Sequence, residues 1–218
     1  MISPILRWET VVSQPFDENT YIAWIDDSTE CVVIDPGLEP QKILDTLAKA
    51  KLVPAAILNT HGHSDHIAGN ATMKMHWPDI PLVIGKQDAD KLTDPNKNLS
   101  APFGVSLTSP PADRTLSEGD VLSYADIELE VLDAPGHSEG HVIFVAKQPT
   151  PHVVFGGDVI FSGSVGRTDF PDGDFDELVR SIHGKLFSLP DDTIVLPGHG
   201  PATTVGEEKR SNPFVGLR

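Results

Sequence analysis

Four apolar runs of strand type stop at a turn and are followed shortly by side chains able to ligate a metal ion. Ala55-Ala56-Ile57-Leu58-Asn59-Thr60 leads into His61-Gly62-His63-Ser64-Asp65-His66. The run over 127–132 leads to Ala134-Pro135-Gly136-His137, that over 153–155 to Gly156-Gly157-Asp158, and that over 193–195 to Leu196-Pro197-Gly198-His199. Neutral imidazole and carboxylate are the donors that zinc and related borderline metals take. Because no metal site closes on one loop, the fold must bring distant strand ends to one edge. Taken singly, any of these histidines is more simply a hydrogen-bonded loop imidazole. Together they account for five of the nine histidines in the chain, and the set in its strand-end context points to a metal site. If 61–65 stays extended, alternation sends His61, His63 and Asp65 to one side, while the turn into the next helix swings His66 in beside Asp65. One loop then feeds two adjacent metals.

The remaining pattern predicts strands over 5–12, 21–25, 32–35, 55–59, 82–84, 127–132, 142–146, 153–155 and 193–196. Helices are expected over 40–51, 66–76, 86–92 and 175–187, the last with Leu178, Val179, Ile182 and Leu186 at near-helical spacing. With 218 residues, enough for one sizeable core, the expectation is one domain over 1–218, mixed α/β, with sheets between helical layers. The segment 93–114 has no clean period and reads either as a lid or as a solvated excursion. His76, His152 and His183 lie outside the strand-end pattern, and His141 reads as a supporting residue behind the ligands.

Charge narrows the function. Lys and Arg number 16 against 32 Asp and Glu, a net charge of −16, so nucleic acid and anionic membrane are not expected partners. Cys31, the lone cysteine, cannot form an internal disulfide and sits in an apolar run as a small buried hydrophobe. With no signal-type start and no long apolar stretch, the expected location is the cytoplasm.

The run His61-x-His63-x-Asp65-His66 with the later His137, Asp158 and His199 resembles the metallo-β-lactamase superfamily, over essentially the whole chain. Asp35-Pro36-Gly37 resembles that superfamily's first motif, whose aspartate supports the metal loop. The resemblance implies an αββα sandwich of two mixed sheets flanked by helices, with a two-metal site at one edge. It gives His61, His63 and His137 to the first metal, Asp65, His66 and His199 to the second, and Asp158 to both as a bridge. Asp65 gains a catalytic role, orienting the nucleophile. The lactamases proper usually have Cys or Ser where Asp158 stands, so the likeness is to glyoxalase II and its relatives.

Gly156-Gly157-Asp158-Val159-Ile160-Phe161, Val165-Gly166-Arg167-Thr168-Asp169-Phe170-Pro171, Leu196-Pro197-Gly198-His199-Gly200-Pro201, Thr204-Val205-Gly206-Glu207-Glu208 and Asn212-Pro213-Phe214 resemble the short bacterial type II glyoxalases. These are hydroxyacylglutathione hydrolases without the C-terminal helical domain of the longer enzymes. The resemblance implies hydrolysis of a glutathione thioester, S-D-lactoylglutathione, with two divalent cations, zinc first and Fe²⁺ or Mn²⁺ as alternatives. By motif Arg167 would hold a glutathione carboxylate, although a surface ion pair with Asp169 or Asp172 is its competing reading. Where the longer enzymes place a tyrosine after the last metal histidine, this chain has Pro201. A metal lowers the pKa of bound water from about 15.7 toward about 7, so hydroxide is available and no Ser or Cys nucleophile is needed. Persulfide dioxygenases share these motifs and would use His61, His137 and Asp158 on one Fe(II). Another metallo-hydrolase, β-lactamase being a minor reading, and a non-catalytic metal-stabilised scaffold are the remaining alternatives.

Overall fold

Cys31-Val32-Val33-Ile34 and Val142-Ile143-Phe144-Val145-Ala146 are apolar at every position, which suits strands covered on both faces. In the computed structural model of the protein, which describes residues 5–148 and 150–217, both runs are strands with every one of these residues buried. The first sheet is formed by β1 (Leu6–Ser13), β2 (Glu18–Ile25), β3 (Glu30–Ile34), β4 (Val53–Asn59), β5 (Leu82–Gly85) and β6 (Arg114–Leu116), side by side in that order. It is antiparallel from β1 to β3 and parallel from β3 to β6. Between its strands run α1 (Pro40–Ala50), α2 (Ser64–Ile67) and α3 (Asn70–His76).

The second sheet comprises β7 (Val121–Tyr124), β8 (Ile127–Asp133), β9 (Val142–Ala146) and β10 (Val153–Gly157), then β13 (Ile194–Pro197) and β14 (Thr203–Thr204). Only β10 and β13 pair in parallel there. A small hairpin of β11 (Ile160–Phe161) and β12 (Ser164–Val165), with helices α4 (Phe175–Gly184) and α5 (Val205–Ser211), completes the set.

Alternation along each strand builds the layers. Val32, Ile34, Ala56 and Leu58 of the first sheet meet Val142, Phe144, Phe155 and Leu196 of the second. The intervening Cys31, Val33 and Ile57 turn outward onto Ile43 and Leu47 of α1 and Met73 of α3. On the far side, Ile143, Val145 and Val154 pack on Leu178 and Ile182 of α4 and Val205 of α5. The chain is therefore an αββα sandwich with two mixed sheets. Cys31 is fully buried, and burial together with Glu30 pushes its thiol up to about 12, as expected of a small hydrophobe.

Several local expectations need correction. The helix expected over 66–76 starts earlier and is broken into α2 and α3, because Gly69 packs on Pro36 and donates its N–H to the Pro36 carbonyl at 2.7 Å. Residues Lys86–Leu92 form a 3₁₀ helix rather than an α-helix. Strands β6, β7, β11, β12 and β14 and helix α5 have no counterpart in the expected list. The segment 93–114 is not a free excursion. The Asn98 side chain donates to the carbonyls of Lys91 and Leu107 at 3.1 and 3.0 Å, and the Asn98 main-chain carbonyl accepts from Ser64 N–H at 2.9 Å.

The sheets are tied together where the ligand loops emerge. Val142 N–H donates to the Thr60 carbonyl at 2.8 Å and Asn19 N–H to the Gly198 carbonyl at 2.7 Å, while within the second sheet Gly198 N–H donates to Gly157 at 2.8 Å. The Tyr21 hydroxyl adds a bond to the Pro197 carbonyl at 2.7 Å.

Phe144 is fully buried between the sheets. Phe144→Ala should lower stability by about 3–5 kcal/mol in denaturant unfolding, and Val105→Ala on the exposed 93–114 segment by less than about 0.5 kcal/mol. Similar losses for both would contradict the two-sheet core.

Candidate metal centre

Asp35, just past β3, organises the entry to the ligand loop. Its Oδ1 accepts Thr60 N–H at 2.7 Å and its Oδ2 accepts the Thr60 hydroxyl at 2.6 Å. The same Oδ2 lies 3.1 Å from His66 Nδ1, which turns Nε2 of that ring toward the site. The Thr60 hydroxyl oxygen is in turn 3.1 Å from His61 Nδ1. The loop stays extended only to His63 (φ −70°, ψ 150°), after which α2 begins. Asp65 therefore leaves from a helical turn beside His66, not from a continued alternation, which corrects the expected extension to 65.

Two groups form at the joined strand ends. In the first, donor atoms of His61, His63 and His137 lie within 4.8 Å of one another, and Asp65, His66 and His199 meet the same condition in the second. Asp35, His61 and His66 also satisfy it, but the Asp35 oxygens already serve Thr60 and His66 Nδ1 and stand behind the rings. Asp158 lies between the two groups. Its Oδ1 is 3.5 Å from His66 Nε2, and its Oδ2 is 3.5 Å from both His137 Nε2 and His199 Nε2. Asp65 Oδ2 is 3.5 Å from His199 Nε2 and 3.8 Å from His66 Nε2. All seven residues that the sequence nominated as ligands are thus brought together.

Further rings are aimed from behind. His137 Nδ1 donates to the Arg167 carbonyl at 2.7 Å, and His199 Nδ1 to the Phe16 carbonyl at 2.9 Å. The His141 ring stacks on His61 at 4.8 Å between centroids, and its Nε2 accepts Asp158 N–H at 3.0 Å, the supporting place expected of it. Gly157 turns with φ +48°, where a Cβ would come within 2.3 Å of the Thr60 hydroxyl, so only glycine fits before Asp158. His76 and His183 bond instead to the carbonyls of Thr72 and Val215, and the His152 carbonyl accepts Ile194 N–H.

The donors fit a cation. Nε2 of His61 and His66 and Oδ1 of Asp158 are buried with no hydrogen-bond partner, a costly state unless something else satisfies them. His63 Nδ1 faces His137 Nε2 at 2.9 Å, a separation that a shared proton or cation makes favourable. Burial, reinforced by neighbouring imidazoles, holds His61 and His63 well below the ordinary histidine value. Burial also acts to lower His66, but Asp158 and Asp65 outweigh it and raise that ring well above the ordinary value. Burial works to raise Asp65 and Asp158, yet His66 and His199 hold both carboxyls below the usual range.

The groups open into a pocket of about 210 Å³ walled by Phe16, Leu99, Phe103 and Phe170. Arg167 also lines it. Its guanidinium is paired to both oxygens of Asp169 at 2.7 Å and lies 4.3 Å from the Phe170 ring centre. Asp88, Lys91 and Ser138, packed beneath the histidine loops, and the apolar wall went unidentified in the sequence reading. Among the described residues no helix is long and apolar enough to cross a membrane.

Residues 14–199 match the metallo-beta-lactamase superfamily. The chain is 37% identical to hydroxyacylglutathione hydrolase GloC of Haemophilus influenzae, with 95% of this chain and 97% of that protein covered. Among solved structures it is similar to BLEG-1 B3 metallo-beta-lactamase, at TM-score 0.91 and 36% identity over 96% of this chain and 99% of that one. It is also similar to TTHA1623 in a di-iron-bound form, at TM-score 0.83 and 39% identity over 94% and 99% of the two chains.

The opposite states of His66 and of His61 and His63 predict different pH behaviour for the two groups. A cation entering beside His66 competes with the proton that Asp158 and Asp65 favour on that ring, whereas burial already disfavours a proton on His61 and His63. Zinc affinity of the Asp65–His66–His199 group, in which both rings are held above the ordinary histidine value, should therefore fall more steeply from about pH 8 to about pH 6 than that of the other group. Chelator-competition titrations at several pH values check this, and equal slopes would contradict it.

Proposed function

Since the chain belongs to the metallo-beta-lactamase superfamily, we propose that it is a metal-dependent thioester hydrolase acting on S-D-lactoylglutathione. The observation that carries this reading is the Asp158 carboxylate, with oxygens 3.5 Å from ring nitrogens of both groups. His61, His63 and His137 would hold one divalent cation, Asp65, His66 and His199 the other, with Asp158 serving both. The named activity of the Haemophilus influenzae relative supports the substrate. The di-iron-bound relative supports iron as well as zinc as occupant.

A cation pair would supply a nucleophilic water near neutral pH and electrostatic stabilisation of charge developing on the acyl oxygen. The chain's own residues do the rest. Asp65, held below the usual carboxylate range by His66 and His199, would accept a hydrogen bond from that water and orient it. Phe16, Leu99, Phe103 and Phe170 keep solvent from the acyl group. Arg167 meets a carboxylate of the thiol half by exchanging Asp169 for it, so its net gain is smaller than that of an unpaired arginine. On a protein of net charge −16, cations in the pocket give an anionic thioester a locally favourable field.

The solved relative named as a B3 metallo-beta-lactamase, at 36% identity, supports a second reading, β-lactam hydrolysis at the same groups. Protein loaded in parallel with zinc, manganese and iron, then assayed on S-D-lactoylglutathione, on a β-lactam, and for O₂ consumption with glutathione persulfide, separates the readings. The thioester should be turned over without O₂, and chelation should abolish turnover. Persulfide-dependent O₂ uptake, or β-lactam turnover, with the thioester untouched would overturn the proposal.

Four substitutions probe the roles, two of them as controls. Asp158→Ala should lose bound metal and at least about a hundredfold in kcat, while His76→Ala and His183→Ala retain both. Arg167→Ala should cut kcat/KM about threefold to tenfold with normal metal content, and less for a thioester lacking the glutathione carboxylates.

A further inference from the structure

The 3₁₀ segment Lys86–Leu92, which supplies no atom to either histidine group, is wedged between their loops. A Cβ on Gly140 would lie 2.2 Å from Asp88 N, and one on Gly62 would lie 2.6 Å from Lys91 Cβ. Neither glycine could therefore carry a side chain without displacing the segment.

Asp88 is fully buried and Lys91 is 6% exposed. Asp88 Oδ2 accepts Gly62 N–H at 2.8 Å and the Ser138 hydroxyl at 2.5 Å, and its Oδ1 accepts Gly140 N–H at 2.8 Å. Lys91 Nζ lies 3.0 Å from Asp88 Oδ1 and 2.5 Å from Asp172 Oδ2, and also donates to the Ser138 hydroxyl. Gly62 sits between His61 and His63, and Ser138 follows His137. One carboxylate thus holds the backbone beside all three rings of a single group, and it makes no hydrogen bond to Asp65, His66 or His199. Lys91 is the counter-charge packed against that buried carboxylate, and through Asp172 it ties in the loop that bears Arg167 and Phe170.

We infer that Asp88 and Lys91 are positioning residues that set the spacing of His61, His63 and His137, and so tune that group's metal affinity independently of the other. The inference rests on the two-metal reading above. A neutral side chain at 88 loses the pairing to Lys91 and leaves at least one of the Gly62 and Gly140 amides without its acceptor.

Metal-free wild-type protein, Asp88→Asn and Lys91→Met are titrated with Co(II) and followed by visible absorption, with backbone circular dichroism confirming the fold. His63→Gln and His199→Gln assign the two spectral signals. In Asp88→Asn the dissociation constant at the His61–His63–His137 group should rise about 10–100-fold and its band should change shape, while the other group stays within about threefold. Lys91→Met should shift the same group in the same direction. Should Asp88→Asn not fold, Ser138→Ala, which removes one donor from the carboxylate, should weaken the same group alone. Unchanged binding at both groups, or equal weakening of both in folded variants, would overturn the inference. Wild-type protein that binds no cobalt would overturn the two-metal reading itself, and this inference with it.

Discussion

Lone pairs that must converge without touching repel one another and forfeit water. Around Asp158 the ring nitrogens of His66, His137 and His199 lie within 3.5 Å of its oxygens, and several donor atoms here are buried without partners. Each such atom costs about 1–3 kcal/mol when left unsatisfied. The fold offsets this from behind the rings. Asp35 faces His66, the Arg167 carbonyl takes His137, the Phe16 carbonyl takes His199, and Asp88 anchors the loops themselves. Four layers of helix and sheet give those supports fixed positions, which is how a metal cluster comes to depend on a core it does not touch.

The site is asymmetric in consequence. His61 and His63 are deep and held well below the ordinary histidine value, while His66 is buried among carboxylates that favour its proton. The pocket outside is chiefly apolar, and its arginine is already satisfied by Asp169. A ligand is therefore sorted mainly by what meets the cluster and the Phe16–Leu99–Phe103 wall, and less by charge at the rim.

Much of the centre was legible because strand, turn and ligand are contiguous in sequence: His61, His63, Asp65, His66, His137, Asp158 and His199 each announce themselves locally. Asp88 does not, since its partners are main-chain amides of Gly62 and Gly140, and Lys86–Leu92 has only an ordinary charged pattern. Strands β6 and β14 are too short to show a period, and pairing with β5 and β13 decides them. Helix α5 did carry a signal. Thr204 with Glu207 three residues on is a capping pair, and the Thr204 hydroxyl accepts Glu207 N–H at 3.2 Å. The break between α2 and α3 follows from Gly69 meeting Pro36, a tertiary contact that helix periodicity cannot reveal.

The most direct test of the account is anomalous diffraction from crystals of the protein grown with zinc. The account predicts two metal peaks, one among His61, His63 and His137 and one among Asp65, His66 and His199, with the Asp158 carboxylate contacting both. A single peak held by His61, His137 and Asp158, or two peaks with Asp158 turned away from either, would contradict it.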